Sequence, residues 1–222
     1  MILTILSQHT LWLLRFTYKK VKVKLTVSDS KKVFHEQFPY VISGLYKRIV
    51  DEMLVELNLL NHQNEFIQDD LFSVGLTETF KELTKGYKPE EHLVILFESL
   101  CNSSNFEPKK IKEASKKTLE GYKDKSLKEI SILLKEKSDT NLYSSRILNL
   151  GIYLIIANAT DFKDIKDSEK NKIISDIINK LNLSFNKAEK DIGIYKSSII
   201  KMEQAKELLQ EAKTKDKKEK NK

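Results

Sequence analysis

The chain has 222 residues, of which 40% are hydrophobic, enough for the core of a sizeable domain and too many for a chain that is disordered throughout. Only 6 glycines and 3 prolines stand among many Lys, Leu, Ile and Glu residues, so helices joined by short polar loops are expected. The net charge of +7 comes from the ends, with +5 in residues 1–24, +4 in residues 213–222 and −2 between them, which argues against a basic nucleic-acid groove on the folded part.

Residues 1–24 are interpreted as an N-terminal extension, apolar as far as Leu14 and basic after it. The apolar part is too short to span a bilayer. It has no basic region before the apolar stretch and no small-residue cleavage site, so it does not resemble a secretory signal. A start codon assigned too early and a lineage-specific extension are both open explanations. The rest of the chain has no apolar run of spanning length, which predicts a soluble or peripheral protein.

Eight amphipathic segments predict eight helices, which form a helical core domain over residues 25–183. Capping residues, prolines and acidic first turns mark their starts. In particular, Ser126 and Glu129 have the spacing of a capping box, and residues 147–157 are almost wholly apolar, which predicts a central helix. The predicted starts in chain order are Ser28, Ile42, Asp70, Pro89, Pro108, Ser126, Ser144 and Asp167.

The last helix, residues 184–212, has a different pattern. Its apolar residues follow heptad a and d positions, with Lys206 as the one polar exception, and this narrow stripe is typical of a coiled coil. The stripe either packs back on the protein's own core or is covered by a partner, and the sequence leaves both open. A disordered basic tail is predicted for residues 213–222. The candidate partner-binding residues are Ile192, Tyr195, Ile199, Met202 and Leu209.

Two segments hint at an internal duplication. The motif LFSVGL at 71–76 resembles ILNLGI at 147–152, an offset of 76 residues, and both place a glycine within a predicted helix. A glycine in a helix costs about 1 kcal/mol relative to alanine, so a close helix–helix contact is a plausible reason for each.

The sequence contains no recognisable catalytic constellation. A phosphate-binding loop, a G-x-S-x-G motif and a Cys-x-x-Cys pair are all missing, and none of the four histidines has a second ligand at helical metal-site spacing. The single cysteine, Cys101, lies in an apolar run and is expected to be buried and inert. No catalytic residue, cofactor or metal is therefore predicted.

Three stretches together resemble the thylakoid formation protein family, also known as photosystem II biogenesis factors. The first runs from TVSDSK at 26–31 through FP at 38–39 to IVDEMLVEL at 49–57. The second runs from Phe66 to the GYKPEE motif at 86–91. The third combines 191–195 with the KMEQAKEL motif at 201–208. Their order and spacing carry the resemblance, which covers about residues 25 to 212.

The resemblance implies an all-helical protein without known enzymatic activity, a multi-helix globular bundle with a long C-terminal coiled-coil helix. It also implies peripheral association with the cytoplasmic side of the thylakoid membrane, or the stromal side in a plastid. The implied partners are the FtsH membrane protease and photosystem II-related membrane proteins, in photosystem II assembly or repair.

Two alternatives of other classes stay open. One is a helical nucleic-acid-associated protein that uses its basic termini. The other is an enzyme whose site assembles from scattered polar residues, which an apolar pocket with converging, perturbed acids would favour.

Overall fold

The computed structural model describes residues 24–137 and 142–220, with side chains as far as Ala212, so the predicted extension at 1–24 lies almost wholly outside the described residues. Within this part the secondary structure consists of nine α-helices without strands, which confirms the all-α prediction and the long C-terminal helix. The helices are α1 (Val27–Gln37), α2 (Gly44–His62), α3 (Asp70–Leu83), α4 (His92–Asn102), α5 (Pro108–Tyr122), α6 (Leu127–Lys135), α7 (Arg146–Ala157), α8 (Asp167–Lys180) and α9 (Phe185–Lys220).

Local capping explains several of the helix starts. The predicted capping box at Ser126 and Glu129 is present at the start of α6. At α1, however, the prediction of Ser28 as N-cap is wrong, because Thr26 caps the helix in a capping box with Asp29. α4 begins at His92, one turn after the predicted Pro89, since the intervening residues form a turn.

The centre of the fold is the pair α3 and α7, as predicted for α7. Residues 71–76 of α3 and 147–152 of α7 are all buried. A Cβ atom on Gly75 would lie 1.9 Å from the carbonyl oxygen of Ile147, and one on Gly151 would lie 2.1 Å from that of Leu71. The predicted close contact at both glycines is therefore confirmed, and it is reciprocal at the same 76-residue offset.

The other helices pack around the central pair α3 and α7. α5 packs on α3, and α9 packs on α7. α1 packs on α2 and α4, while α8 contacts α6, α7 and α9. The division of the chain into a core domain, a coiled-coil helix at 184–212 and a tail at 213–222 stays a prediction. The α9 backbone continues to Lys220, as a segment rich in Lys and Glu allows.

Candidate docking surface on the C-terminal helix

The five candidate residues of α9 fall into two groups. Ile192, Tyr195 and Met202 are buried against the body, and Ile199 is half-buried against the same core. Leu209 is 50% exposed. The structure therefore brings four of the five together on the surface of α9 that faces the body and leaves the last one in solvent.

Polar contacts fix the first half of α9 to the body. The Asn149 side chain of α7 donates from Nδ2 to the Asp191 carboxylate, with an N–O distance of 2.8 Å. Lys187 Nζ donates to the Ser144 carbonyl oxygen at 2.6 Å. The rings of Tyr153 and Tyr195 meet edge to face with centroids 6.4 Å apart. These contacts define the rotation of α9 about its own axis.

An ion pair next to this anchor joins α2 to α7. Arg146 Nε donates to Glu56 Oε2 at 2.7 Å, and the pair is partly withdrawn from solvent. Burial raises the pKa of the Glu56 carboxyl above its ordinary 4.5, while the Arg146 guanidinium opposes that rise and the nearby Asp191 adds to it. One connected polar cluster thus links α2, α7 and α9.

The sequence patterns do not reveal this cluster, because its members are far apart along the chain. Glu56 and Arg146 are separated by 90 residues, and Asn149 and Asp191 by 42. One signal was available, since Asn149 is a polar residue inside the otherwise almost wholly apolar stretch 147–157. A fully buried amide there needs a hydrogen-bonding partner.

α9 leaves the body near Lys206. The Nζ atom of Lys206 donates to the carbonyl oxygen of Lys85 at 3.4 Å, in the loop after α3. Immediately beyond it, Leu208 is 66% exposed and Leu209 is 50% exposed. We call residues 207–220 the arm, which extends about 20 Å at 1.5 Å per residue.

Cys101, His62 and His92 have side chains that could take part in catalysis, but each is held in a packing or hydrogen-bonding contact within the fold. Cys101 is fully buried, and burial raises the pKa of its thiol to about 12, so little thiolate exists at neutral pH. His92 stacks on Tyr40 with ring centroids 3.8 Å apart, and His62 Nδ1 lies 2.8 Å from the Asn58 carbonyl oxygen.

Between residues 24–137 and 142–220, His, Cys, Asp and Glu form no group of three or more that could hold a metal ion. Across the same part of the chain, every helix is too short or too polar to cross a membrane.

The chain is similar to known proteins over nearly its whole length. Residues 26–222 match the profile of the family described as Thylakoid formation protein. Protein Thf1 of Prochlorococcus marinus subsp. pastoris is 93% identical over 202 residues, covering 91% of this chain and all of that protein. Protein Thf1 of Prochlorococcus marinus strain NATL1A is 41% identical over 85% of this chain and 96% of its own length.

The fold also matches a solved structure. A structure of Psb29 superposes with a TM-score of 0.79 and 25% identity, covering 89% of this chain and 100% of that one. Sequence and fold thus agree over the same region. The chain belongs to the thylakoid formation protein family.

Proposed function

We propose that this protein is a non-enzymatic accessory scaffold for thylakoid membrane biogenesis and for photosystem II assembly or repair. Its membership of the thylakoid formation protein family supports the thylakoid role. The buried, protonated thiol of Cys101 and the structural contacts of His62 and His92 support a binding role over a catalytic one.

The observation that carries the proposal is the change of environment along α9. The helix is fixed to the body as far as Lys206 and then presents Leu208 and Leu209 to solvent. Leu208 and Leu209 lie about 100° apart around the helix, at the two edges of a face that Ala205 and Ala212 complete. Such an apolar face on a projecting helix is suited to the groove of a partner. The arm is therefore the docking element, and Leu209 is the candidate residue that it presents.

The partners proposed are the FtsH protease complex and photosystem II-related membrane proteins, as the family resemblance implies. The protein lies on the cytoplasmic side of the thylakoid membrane and is held there peripherally. Its basic ends support that mode of attachment, because clustered lysines are attracted to anionic membrane surfaces. We also propose that it binds no nucleic acid. A salt-dependent pull-down of DNA or RNA tests this part of the proposal.

The test is co-purification of FtsH with a tagged copy from detergent-solubilised thylakoids. The double change Leu208→Ser with Leu209→Ser should reduce FtsH recovery about tenfold, because each leucine contributes on the order of 1 kcal/mol in a partner groove. The matched control is Ile194→Ser with Ile200→Ser, two exposed apolar residues on the part of α9 that lies along the body. Equal recovery of FtsH with both variants would contradict the role of the arm as the docking element.

A further inference from the structure

A groove runs along the outer face of α2, between that helix and the segment that precedes α7. Its volume is about 870 Å³, within the range of ligand-binding clefts. Gly44 and Gln63, at the two ends of α2, both line it, so the groove follows the helix for about 28 Å at 1.5 Å per residue. The groove is therefore long and narrow.

The dimensions of the groove limit what can fill it. Its volume spread over its length corresponds to a mean cross-section of about 30 Å². An α-helix with its side chains is about 10 Å across, and an extended peptide in a sheet occupies about 5 by 10 Å, so both have larger cross-sections than the groove. An unbranched hydrocarbon chain is only one row of methylene groups wide and is the narrower occupant that the groove admits.

The floor of the groove is apolar. Leu60 is buried, Val55 and Tyr143 are half-buried, and Leu59 is 52% exposed. A hydrocarbon chain laid along this floor removes these side chains and its own surface from water, and such burial stabilises a complex in proportion to the apolar area that is covered.

The ionised side chains around the groove have a net positive charge, since five basic residues and three acids line it. Each of the acids already has a basic partner within the groove. The three pairs are Lys31 with Asp51, Arg48 with Glu52 and Arg146 with Glu56.

The two remaining basic residues are Lys187 and Lys47. Lys187 Nζ donates to the Ser144 carbonyl oxygen at 2.6 Å. Lys47 is exposed, and within the described part of the chain it forms neither an ion pair nor a side-chain hydrogen bond. It lies in the first turn of α2, about 18 Å along the helix axis from Leu59. A ligand that carries one negative charge at the Lys47 end and an apolar chain beyond it matches this arrangement.

We propose that the α2 groove binds a long-chain fatty acid, with the carboxylate at Lys47 and the hydrocarbon chain along Val55 and Leu59 towards Tyr143. This ligand matches the length of the groove, its narrow cross-section, its apolar floor and its excess positive charge. A membrane lipid with two acyl chains fits less well, because the groove covers one chain and leaves the other in water. The site goes beyond the proposed function, does not depend on it and does not involve the arm.

The experiment titrates the purified full chain with cis-parinaric acid, a fatty acid whose fluorescence rises in an apolar site. The wild-type chain should bind the probe saturably. Palmitate should displace it better than caprylate, because only the longer chain reaches from Lys47 to Leu59. Leu59→Glu should weaken binding of the probe at least about tenfold, because it places a carboxylate against the hydrocarbon chain.

A second variant tests the contact with the carboxylate. Lys47→Glu should weaken binding of parinaric acid about tenfold and leave binding of the corresponding alcohol unchanged, since the alcohol carries no charge. Lys172→Glu makes the same change of charge at an exposed position outside the groove and should bind the acid as wild type does. Leu208→Ser with Leu209→Ser, which removes the exposed leucines of the arm, should also bind as wild type does.

All of these variants should keep the wild-type melting temperature, because the replaced side chains are exposed. Three results would overturn the proposal: a wild-type chain without saturable binding, a Leu59→Glu variant with wild-type affinity, or a Lys47→Glu variant that affects the acid and the alcohol equally. The titration uses no partner protein and no membrane, so its failure leaves the proposed scaffold function untouched.

Discussion

At the centre of the fold, Gly75 of α3 and Gly151 of α7 each face a backbone carbonyl of the other helix. The contacts that a Cβ atom would make, 1.9 Å to the Ile147 oxygen and 2.1 Å to the Leu71 oxygen, are shorter than any real Cβ contact. Because the obstacle is backbone rather than a flexible side chain, an alanine there must push the two central helices apart.

Gly75→Ala and Gly151→Ala are each expected to lower the free energy of unfolding by about 3 kcal/mol, the upper range for overpacked cores. The measurement is urea denaturation followed by circular dichroism. Gly193→Ala on α9 is the control, since its Cβ would meet nothing within 4 Å. That change should stabilise the protein by about 1 kcal/mol through helix propensity. Equal effects at the three positions would contradict the close packing of α3 and α7.

The Glu56–Arg146 pair predicts how the stability of an Arg146 variant depends on pH. Removing one member of a buried ion pair leaves the other charge without compensation, so Arg146→Met should destabilise the protein by about 2 kcal/mol at pH 7, less than a fully buried pair because the arginine is partly exposed. Arg146 lowers the pKa of Glu56, and its removal therefore raises that pKa further. The folded state then holds a proton that the unfolded state releases near 4.5.

The direction of the pH dependence follows from this difference in proton binding between the folded and the unfolded state. In the Arg146→Met variant, stability should decrease as pH rises from 4.5 through the raised pKa of Glu56, so its deficit relative to wild type is largest at neutral pH. Urea titrations at several pH values between 4.5 and 8 measure this slope. Adding Glu56→Gln to the variant should remove the slope and recover part of the stability. A deficit that is constant with pH would show that Glu56 does not titrate in this range.

At the scale of the helices, periodicity and capping were sufficient to predict all nine elements, because each signal is local. The ends were less well predicted. At α1, both Thr26 and Ser28 are good capping residues, and the choice of Thr26 depends on the reciprocal bond with Asp29. At α4, residues 89–91 form a turn, so the helix begins at His92 rather than at Pro89.

The docking surface was predictable only in part. Heptad spacing correctly groups the residues on one face of α9, but it cannot show where the body beneath that face ends. The body ends at the loop after α3, where the Lys85 carbonyl oxygen accepts a hydrogen bond from Lys206 Nζ. The contact joins residues 121 positions apart, and no local pattern encodes it.

The change of environment along α9 predicts a gradient of local stability. Amide hydrogen exchange should be slow around Ile192 and Tyr195, which are buried under several body helices, and fast beyond Lys206, where the side chains from Glu207 to Ala212 are exposed. Ile192→Ser should therefore destabilise the whole protein by about 3 kcal/mol, whereas Leu209→Ser should change stability by less than about 0.5 kcal/mol.

Hydrogen exchange read by mass spectrometry, combined with urea denaturation, tests both statements. Uniform protection from residue 185 to residue 220 would contradict the division of α9 into an anchored part and an arm.

At the scale of the whole molecule, the distribution of charge matters more than its sum. Residues 213–222 contain six lysines and a net charge of +4, while residues 25–212 sum to −2. A near-neutral body with basic ends can approach an anionic surface through its ends without a basic face on the fold. Each basic residue close to such a surface contributes on the order of 1 kcal/mol, and salt screens that attraction.

Replacing the six tail lysines with glutamine should therefore weaken binding to vesicles that contain phosphatidylglycerol by at least about tenfold at 0.1 M salt, as measured by co-sedimentation. Replacing them with arginine keeps the charge and should keep the binding, and both variants retain the basic residues at 1–24. Wild-type binding should also disappear at about 1 M NaCl, where the screening length falls to about 3 Å. If the glutamine variant binds as well as wild type, or if binding survives high salt, the attachment does not depend on the charge of the tail. An apolar anchor elsewhere in the chain would then have to hold the protein on the membrane.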